Sequence, residues 1–578
     1  MIEELRTTTT DTTTQPAASG PNSPDRPDDS RQFHSDTPAP GQTPVDGGSG
    51  APPALVLPQL THRQILSVLS GLLVAMFVSN VAGTIVGNAL PVITAKLGSS
   101  EAEYMWIVTA TLLASTASTP IWGKLADLFD KKRLIMIGLA VFAVGSVLAG
   151  ASVGTNMLIA TRAVQGIGLG AIMSLTQAIM GTVIPPRARG RYMAYTGAVT
   201  AVATVVAPLV GGFLVDQEQL GWRWCFWSAV PFSLLSILIL RKQLHVPHLN
   251  RPGAKVDWLG ASIITASTSA LLIWISFVEQ QFAWLSWQTV AFLAGTALGV
   301  VVFIVVESKV HDPIIPLGIV SMRVTALAIV ASVAVGLGLF GSSVFLAQYF
   351  QLARGESPTA SGLLMTPMMA GVLLSSLVIG RLVSRFGLWK PFVVAGSVIL
   401  TAGFGLLSQV GEDTGYVRLS LYMGLTGLGL GMTMQNLVLA VQNSISVRDV
   451  GAATGAVTFF RSLGGAIGIQ VLGFVFQKGM ISRVQDGLPG LLQAAVGQDS
   501  WARPAAAGVC QAVIDGGAGG VGGVDPAALA ALSEQCPNTA QVLQGIATLE
   551  AAGGSTMDVA GLNPQVAHLV QSSIGRSV

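Results

Sequence analysis

Few residues in this sequence could do chemistry, and the densest group of them is Gly123-Lys-Leu-Ala-Asp127-Leu-Phe-Asp130-Lys131-Lys132-Arg133. The carboxylate of Asp127 ends one apolar segment, and Lys131, Lys132 and Arg133 precede the next. A carboxylate at one helix end can lie against the positive N-terminus of another helix and hold the two together, and a proton or a shifted contact would release it. Arg162-Ala-Val-Gln165-Gly166-Ile-Gly168 is a second group. A guanidinium inside an apolar segment is costly unless it meets water or a partner, so Arg162 reads as functional, with snorkelling to an interface as the alternative. The glycines there follow no strand, so close helix packing is expected and not a dinucleotide loop. Ala207-Pro208-Leu-Val-Gly211-Gly212 carries no reactive group. Its proline removes a backbone donor and its glycines admit a neighbouring helix, as a bend or hinge requires. The histidines, at 34, 62, 245, 248, 311 and 568, form no cluster, and His245-Val-Pro-His248 offers a metal two ligands without a third. No metal, no cofactor and no enzymatic activity are expected, and without an acidic or histidine cluster a membrane transferase ranks low.

The elements that must position these groups are membrane helices. Of 578 residues, 51% are hydrophobic and only 10% charged, with a mean hydropathy of +0.63, too apolar for a soluble domain. The net charge of +2 says little about partners, because the distribution of basic residues between loops matters more than their sum; no nucleic-acid partner is expected, the lipid bilayer is the obligatory one, and no obligate protein partner is evident. Residues 1–63 are rich in Thr, Ser, Pro, Asp and Gly and are expected to be a disordered cytoplasmic tail. Thirteen apolar segments follow, each near the roughly 20 residues a bilayer demands. They cover 65–90, 104–126, 134–153, 156–183, 193–215, 224–241, 258–278, 287–307, 324–350, 360–384, 391–410, 418–443 and 450–477. All should be helices, because lipid offers backbone groups no other partner. Basic residues crowd alternate loops (Lys131 to Arg133; Arg187, Arg189 and Arg191; Arg241 to Lys255), which orients the N-terminus to the cytoplasm.

A second copy of the first motif, Gly380-Arg-Leu-Val-Ser384-Arg385-Phe-Gly387-Leu-Trp-Lys390, stands 257 residues after Gly123. Gly427-Leu-Gly429-Leu-Gly431 likewise echoes Gly166-Ile-Gly168-Leu-Gly170. The chain is therefore duplicated: a six-helix bundle over 64–241, an inserted pair over 242–323 and a second bundle over 324–477. Residues 478–578 form a Gly- and Ala-rich tail, external by the same topology.

Both loop copies resemble the G-x-L-a-D-r-x-G-r-K-x loop of the major facilitator superfamily, although a basic loop at a membrane face also occurs in many unrelated proteins. Asp130 replaces one glycine of the pattern, and Ser384 stands where the first copy has Asp127. Arg162 to Gly168 resembles the family's R-x-x-q-G-x-g motif, and Gly197 with Pro208 to Gly212 its antiporter motif G-P-x-x-G-G. The layout resembles the fourteen-span drug:proton antiporter branch. The resemblance implies an all-α polytopic fold of two six-helix bundles plus two inserted helices, and export by alternating access driven by the proton gradient. Drug-like molecules would be the substrates and the bacterial cytoplasmic membrane the location; a dedicated exporter of a siderophore, lipid or amino acid is the alternative. A fourteenth span would be expected after residue 478 and none is legible there, so the chain is either shortened or built on thirteen.

Where the branch carries an aspartate in its first span, this chain has Ala82. Proton coupling is then left to Asp127, to Glu103, Asp216, Glu279 or Glu307 near span ends, or to the substrate's own charge. The spans that line the cavity in the family carry Asn80, Asn88, Gln165, Gln177, Gln348, Tyr349, Gln435 and Asn436. Amides and aromatics of this kind suit bulky amphipathic molecules, cationic ones included, and would equally suit hydrogen bonds between helices. Cys510 and Cys536 fall in the tail, where an external location would permit a disulfide.

Overall fold

The computed structural model describes residues 62–97, 101–216, 221–244, 256–278, 281–411, 414–502 and 536–551, all within one unit, Leu57–Val578. The expected tail over 1–63 lies almost wholly outside them. The first bundle holds α1 (His62–Leu97), α2 (Glu101–Leu128), α3 (Lys131–Gly150), α4 (Thr155–Val183), α5 (Arg189–Asp216), a short α6 (Trp224–Trp227) and α7 (Ala229–Gln243). The inserted pair is α8 (Trp258–Phe277) and α9 (Trp287–Glu307), followed by a single turn, α10 (Leu317–Val320). The second bundle holds α11 (Arg323–Gln348), α12 (Pro358–Leu364), α13 (Thr366–Phe386), α14 (Lys390–Leu407), α15 (Tyr416–Ser444) and α16 (Val450–Ala502), and α17 (Pro537–Ala551) ends the described chain.

Every predicted span falls on helix, but among the described residues length and apolarity alone pick out 12 of the thirteen. The helix left out is α2, whose middle is rich in threonine and serine. Several of its hydroxyls turn back on their own helix: Ser115 donates to the Leu112 carbonyl at 3.0 Å and Thr119 to the Ser115 carbonyl at 2.7 Å. A second difference lies at the end of the chain, where α16 runs on to Ala502, beyond the expected boundary at 477. Leucine, alanine and glutamine at 491–495 are good helix formers, and a helix needs no apolar run to continue outside lipid.

Local chemistry explains one departure from the family pattern, at Asp130, and the glycine that the second copy keeps at the same position, Gly387. Asp130 caps α3, accepting from the Lys132 amide at 2.8 Å and pairing with Arg133 at 3.7 Å. A carboxylate does there what glycine cannot. Gly387 ends α13 at a φ of +73°, where a side chain would be strained.

Within the first bundle α2 and α3 pack on α4, and within the second α13 and α14 pack on α15. The two halves meet along α2 with α16 and α5 with α13. Glycines set these distances: a Cβ on Gly166 would lie 2.5 Å from the Thr111 carbonyl oxygen, and one on Gly431 would lie 2.5 Å from that of Val372. The inserted pair leans on the first bundle through α8 and α2, and α9 turns Trp287, Val290 and Leu298 outward. Exposed apolar side chains on α9, α7 and α14 form the surface that lipid requires.

Candidate functional site

Asp127 ends α2 and reaches the first turn of α16, in the other half. Its Oδ1 accepts from the Gly451 amide at 2.8 Å and its Oδ2 from the Ala452 amide at 2.6 Å. First-turn amides have no partner within their own helix, and a negative charge there also opposes the helix dipole. The carboxylate is only 6% exposed, so both bonds form out of water. Gly123 makes the approach possible, since a Cβ on it would lie 2.6 Å from the Gly451 carbonyl oxygen. Of the three cations that follow, Lys131 is buried, Lys132 half-buried and Arg133 exposed.

Beside this contact, Arg189 at the start of α5 joins the same halves with the opposite polarity. Its guanidinium donates to the Gln442 carbonyl at 2.8 Å and Asn443 Oδ1 at 2.9 Å on α15, and to the carbonyls of Gly181 at 2.5 Å and Ile184 at 3.1 Å at the end of α4. A cation thus meets the negative ends of two helices while an anion meets the positive end of a third. Gln442 adds a bond from its Nε2 to the Gln177 carbonyl at 3.1 Å. In sequence Arg189 is one of three arginines in a basic loop, and nothing in its type marks it out. The second loop copy meets α5 through Ser384, whose Oγ accepts from the Arg191 amide at 2.8 Å.

Arg162 does not snorkel. It is 3% exposed, donates from Nη1 to Gln165 Oε1 at 2.6 Å and from Nε to the Ile107 carbonyl at 3.4 Å, and faces the Phe226 ring at 5.9 Å. Gln165 passes the bond on from Nε2 to Ser146 Oγ at 2.8 Å, tying α4 to α3. Helix α5 runs unbroken through Pro208, and a Cβ on Gly211 would lie 2.9 Å from Ile85 of α1, so this glycine serves helix packing. The surroundings of Pro208 and Gly212 lie outside the described side chains.

The expected substrate residues divide by how their polar atoms are used. Asn80 donates to the Met76 carbonyl and Asn436 to the Met432 carbonyl, each at 2.7 Å and each within its own helix. Tyr349 is buried, donating to the Gly411 carbonyl at 2.9 Å and accepting from Arg354 Nε at 2.8 Å. Its hydroxyl is fully engaged and braces the end of α11. Gln177 and Gln435 are buried with amide atoms that no partner satisfies, whereas Gln348 is half-buried and the Asn88 side chain lies outside the description. Among the acidic candidates, Glu307 is buried and accepts from the Ile314 and Ile315 amides at 3.0 and 3.2 Å. Glu103 is half-buried, and Glu279 and the Asp216 side chain lie outside the description. Cys536 is disulfide-bonded, and Cys510 lies outside the described residues. One buried cation in a span was missed by sequence reasoning, Arg461 of α16; a charge in the middle of an apolar segment was the available signal.

The sequence model described as Major Facilitator Superfamily matches residues 72–469, which takes in both loop copies and both bundles. The chain belongs to the major facilitator superfamily. Among its superfamily relatives, the uncharacterized MFS-type transporter Rv1877 of Mycobacterium tuberculosis (strain ATCC 25618 / H37Rv) is 39% identical over 73% of this chain. The match spans 61% of that relative's length. The multidrug transporter protein MdtP of Bacillus subtilis (strain 168) is 34% identical over 75% of this chain and 79% of its own. A crystal structure of the human organic anion transporter MFSD10 (TETRAN) superposes with a TM-score of 0.54 over 71% of this chain and 93% of that one. At 17% identity, the likeness to that superfamily member carries the fold alone.

Proposed function

We propose that this protein exports amphipathic, drug-like small molecules by alternating access, energised by proton influx. The distribution of basic loops supports an orientation with the Asp127 loop inside, and the family resemblance supports a bacterial cytoplasmic membrane as the location. The observation that carries the reading is the pair of bonds from Asp127 to the Gly451 and Ala452 amides. They close one end of the seam between two duplicated halves and hang on one titratable group, so a single proton can weaken them. Arg189 supports the same closed end from α5. The names of MdtP and of the Bacillus subtilis multidrug resistance protein 3, which is 30% identical, favour drug-like cargo. No cofactor enters this mechanism; the proton gradient supplies the energy.

The test is efflux of a lipophilic dye from energised cells, with and without a protonophore, for the wild type and Asp127→Asn. Protonophore-sensitive efflux that the substitution abolishes is the expected result. Efflux that persists after the gradient has collapsed would overturn proton antiport.

A further inference from the structure

Among the described residues three buried arginines stand inside or at the ends of the spans, and two are held by acceptors: Arg162 by Gln165 and the Ile107 carbonyl, Arg189 by four oxygen atoms. Arg461 is different. Its side chain is 8% exposed, its Nη1 has no partner, and no hydrogen bond or ion pair holds the guanidinium among the described residues. It lies eleven residues into α16. At about 1.5 Å per residue this is about 16 Å along the axis, near the middle of a hydrocarbon core about 30 Å thick. A desolvated, unpaired cation at that depth is costly, and such residues mark substrate or ion pathways.

The surroundings share its character. The Arg461 backbone touches α11 at Gly336, and Gly465 touches Phe340, so α11 and α16 advance in parallel along this seam. One turn before Gly336 on α11 stands Ser332, and one turn before Arg461 on α16 stands Thr458. Both are buried, and Ser332 Oγ and Thr458 Oγ1 both lack partners. Within about one helical turn the seam therefore holds a guanidinium, which can only donate, and two hydroxyls whose protons have no acceptor among the described residues. The complement of such a set is an oxyanion. Among the described residues no carboxylate at this depth offsets the charge: Ala82 stands where the family's first-span aspartate would be, and Asp127 and Glu307 lie at helix ends. In a medium of low dielectric constant this arrangement repels a cation and attracts an anion.

We propose that Arg461, with Ser332 and Thr458, binds the carboxylate, sulfonate or phosphate group of the exported molecule, so that the substrates are amphipathic anions. This rests on the export reading and names its substrate class, in place of the cationic compounds that the amide-rich spans alone would favour. Lipid headgroups lie at the interface, far from Arg461, so the anionic group belongs to the cargo.

The test is binding of four probes with one ten-carbon tail to the full-length protein in a non-ionic detergent: decanoate, decyl sulfate, decanol and decyltrimethylammonium. The expected result is at least tenfold tighter binding of the two anions than of the cation. Arg461→Gln should abolish that difference and Arg461→Lys should keep most of it. Equal or tighter binding of the cation by the wild type overturns the proposal, as does the absence of anion binding, whatever the variants do. So does an anion preference that survives Arg461→Gln. Protonophore-sensitive efflux of ethidium unaltered by Arg461→Gln, together with no anion preference, would leave export standing and sink this inference alone. Anion-selective binding without proton-driven efflux would do the reverse.

Discussion

Asp127 and Ser384 are equivalent residues 257 positions apart, and each reaches from its own half to the first turn of a helix in the other. Asp127 holds two amides of α16 with a charge, whereas Ser384 holds one amide, that of Arg191, with a neutral hydroxyl. The duplicated latch is thus electrically one-sided, and only its first copy can respond to a proton.

The two copies should respond unequally to substitution. Asp127→Asn removes the charge from two bonds and turns an amide donor towards one of two backbone donors, a loss of about 1.5–3 kcal/mol. That shifts the ratio of the two end states roughly 10- to 100-fold. Ser384→Ala should cost about 1 kcal/mol and shift it less than tenfold. Alkylation of a cysteine at buried Ser174, near the Gly123–Gly455 contact, in a Cys225→Ser background would read both effects. Equal rates in the two variants would contradict the one-sided latch.

Gly123→Ala should open the same seam without touching a charge. The added methyl would lie 2.6 Å from the Gly451 carbonyl oxygen, so α16 must retreat. Overpacking of this kind costs about 1–3 kcal/mol, all of it in the closed state. Faster alkylation at the Ser174 position is expected, with a transport defect resembling that of Asp127→Asn but independent of pH. A silent Gly123→Ala would show that the glycine is dispensable for the contact.

Arg162→Lys should destabilise the first bundle by about 2 kcal/mol, because an ammonium cannot serve both Gln165 Oε1 and the Ile107 carbonyl in the geometry of the guanidinium. Thermal unfolding in detergent measures this. Gln165→Leu should cost a similar amount by stranding Arg162, and the double substitution should cost less than the sum of the two.

The tail offers a pH prediction. Asp499 accepts from the backbone amides of Asn538 and Thr539 at 3.1 and 2.9 Å and from their side chains at 2.9 and 2.7 Å, fastening α16 to α17. Burial opposes its ionisation, but these donors outweigh that effect and hold the carboxyl below its ordinary value of 3.8. A depressed folded-state value means that the stabilisation is complete above pH 3.8 and lost as pH falls below it. Hydrogen exchange over residues 537–551 should therefore be insensitive to this group between pH 8 and pH 5 and should accelerate only in stronger acid. Asp499→Asn should accelerate it already at pH 7.

The helices were legible in the sequence because lipid leaves a backbone no partner but itself, so a sufficiently long apolar run must be a helix. The duplication was legible because the same loop recurs between such runs, and Asp127 stood out as a carboxylate at a helix end. Three things were decided by tertiary structure alone. Arg187, Arg189 and Arg191 share one letter and one loop, yet Arg189 joins the halves because its carbonyl acceptor at Gln442 lies 253 residues away in sequence. Asn80, Gln435 and Asn436 are all amides in spans, yet of the three only Gln435 has both amide atoms buried without a partner, whereas the other two donate to a carbonyl one turn back on their own helix. Arg162 and Arg461 are both arginines deep in the membrane, and only packing gave the first its acceptors and left the second without one among the described residues. Sequence determines which groups enter the low-dielectric interior, since that follows from hydropathy summed along one segment. Whether a group finds a partner there depends on which helices pack together and in what register, which no single segment contains.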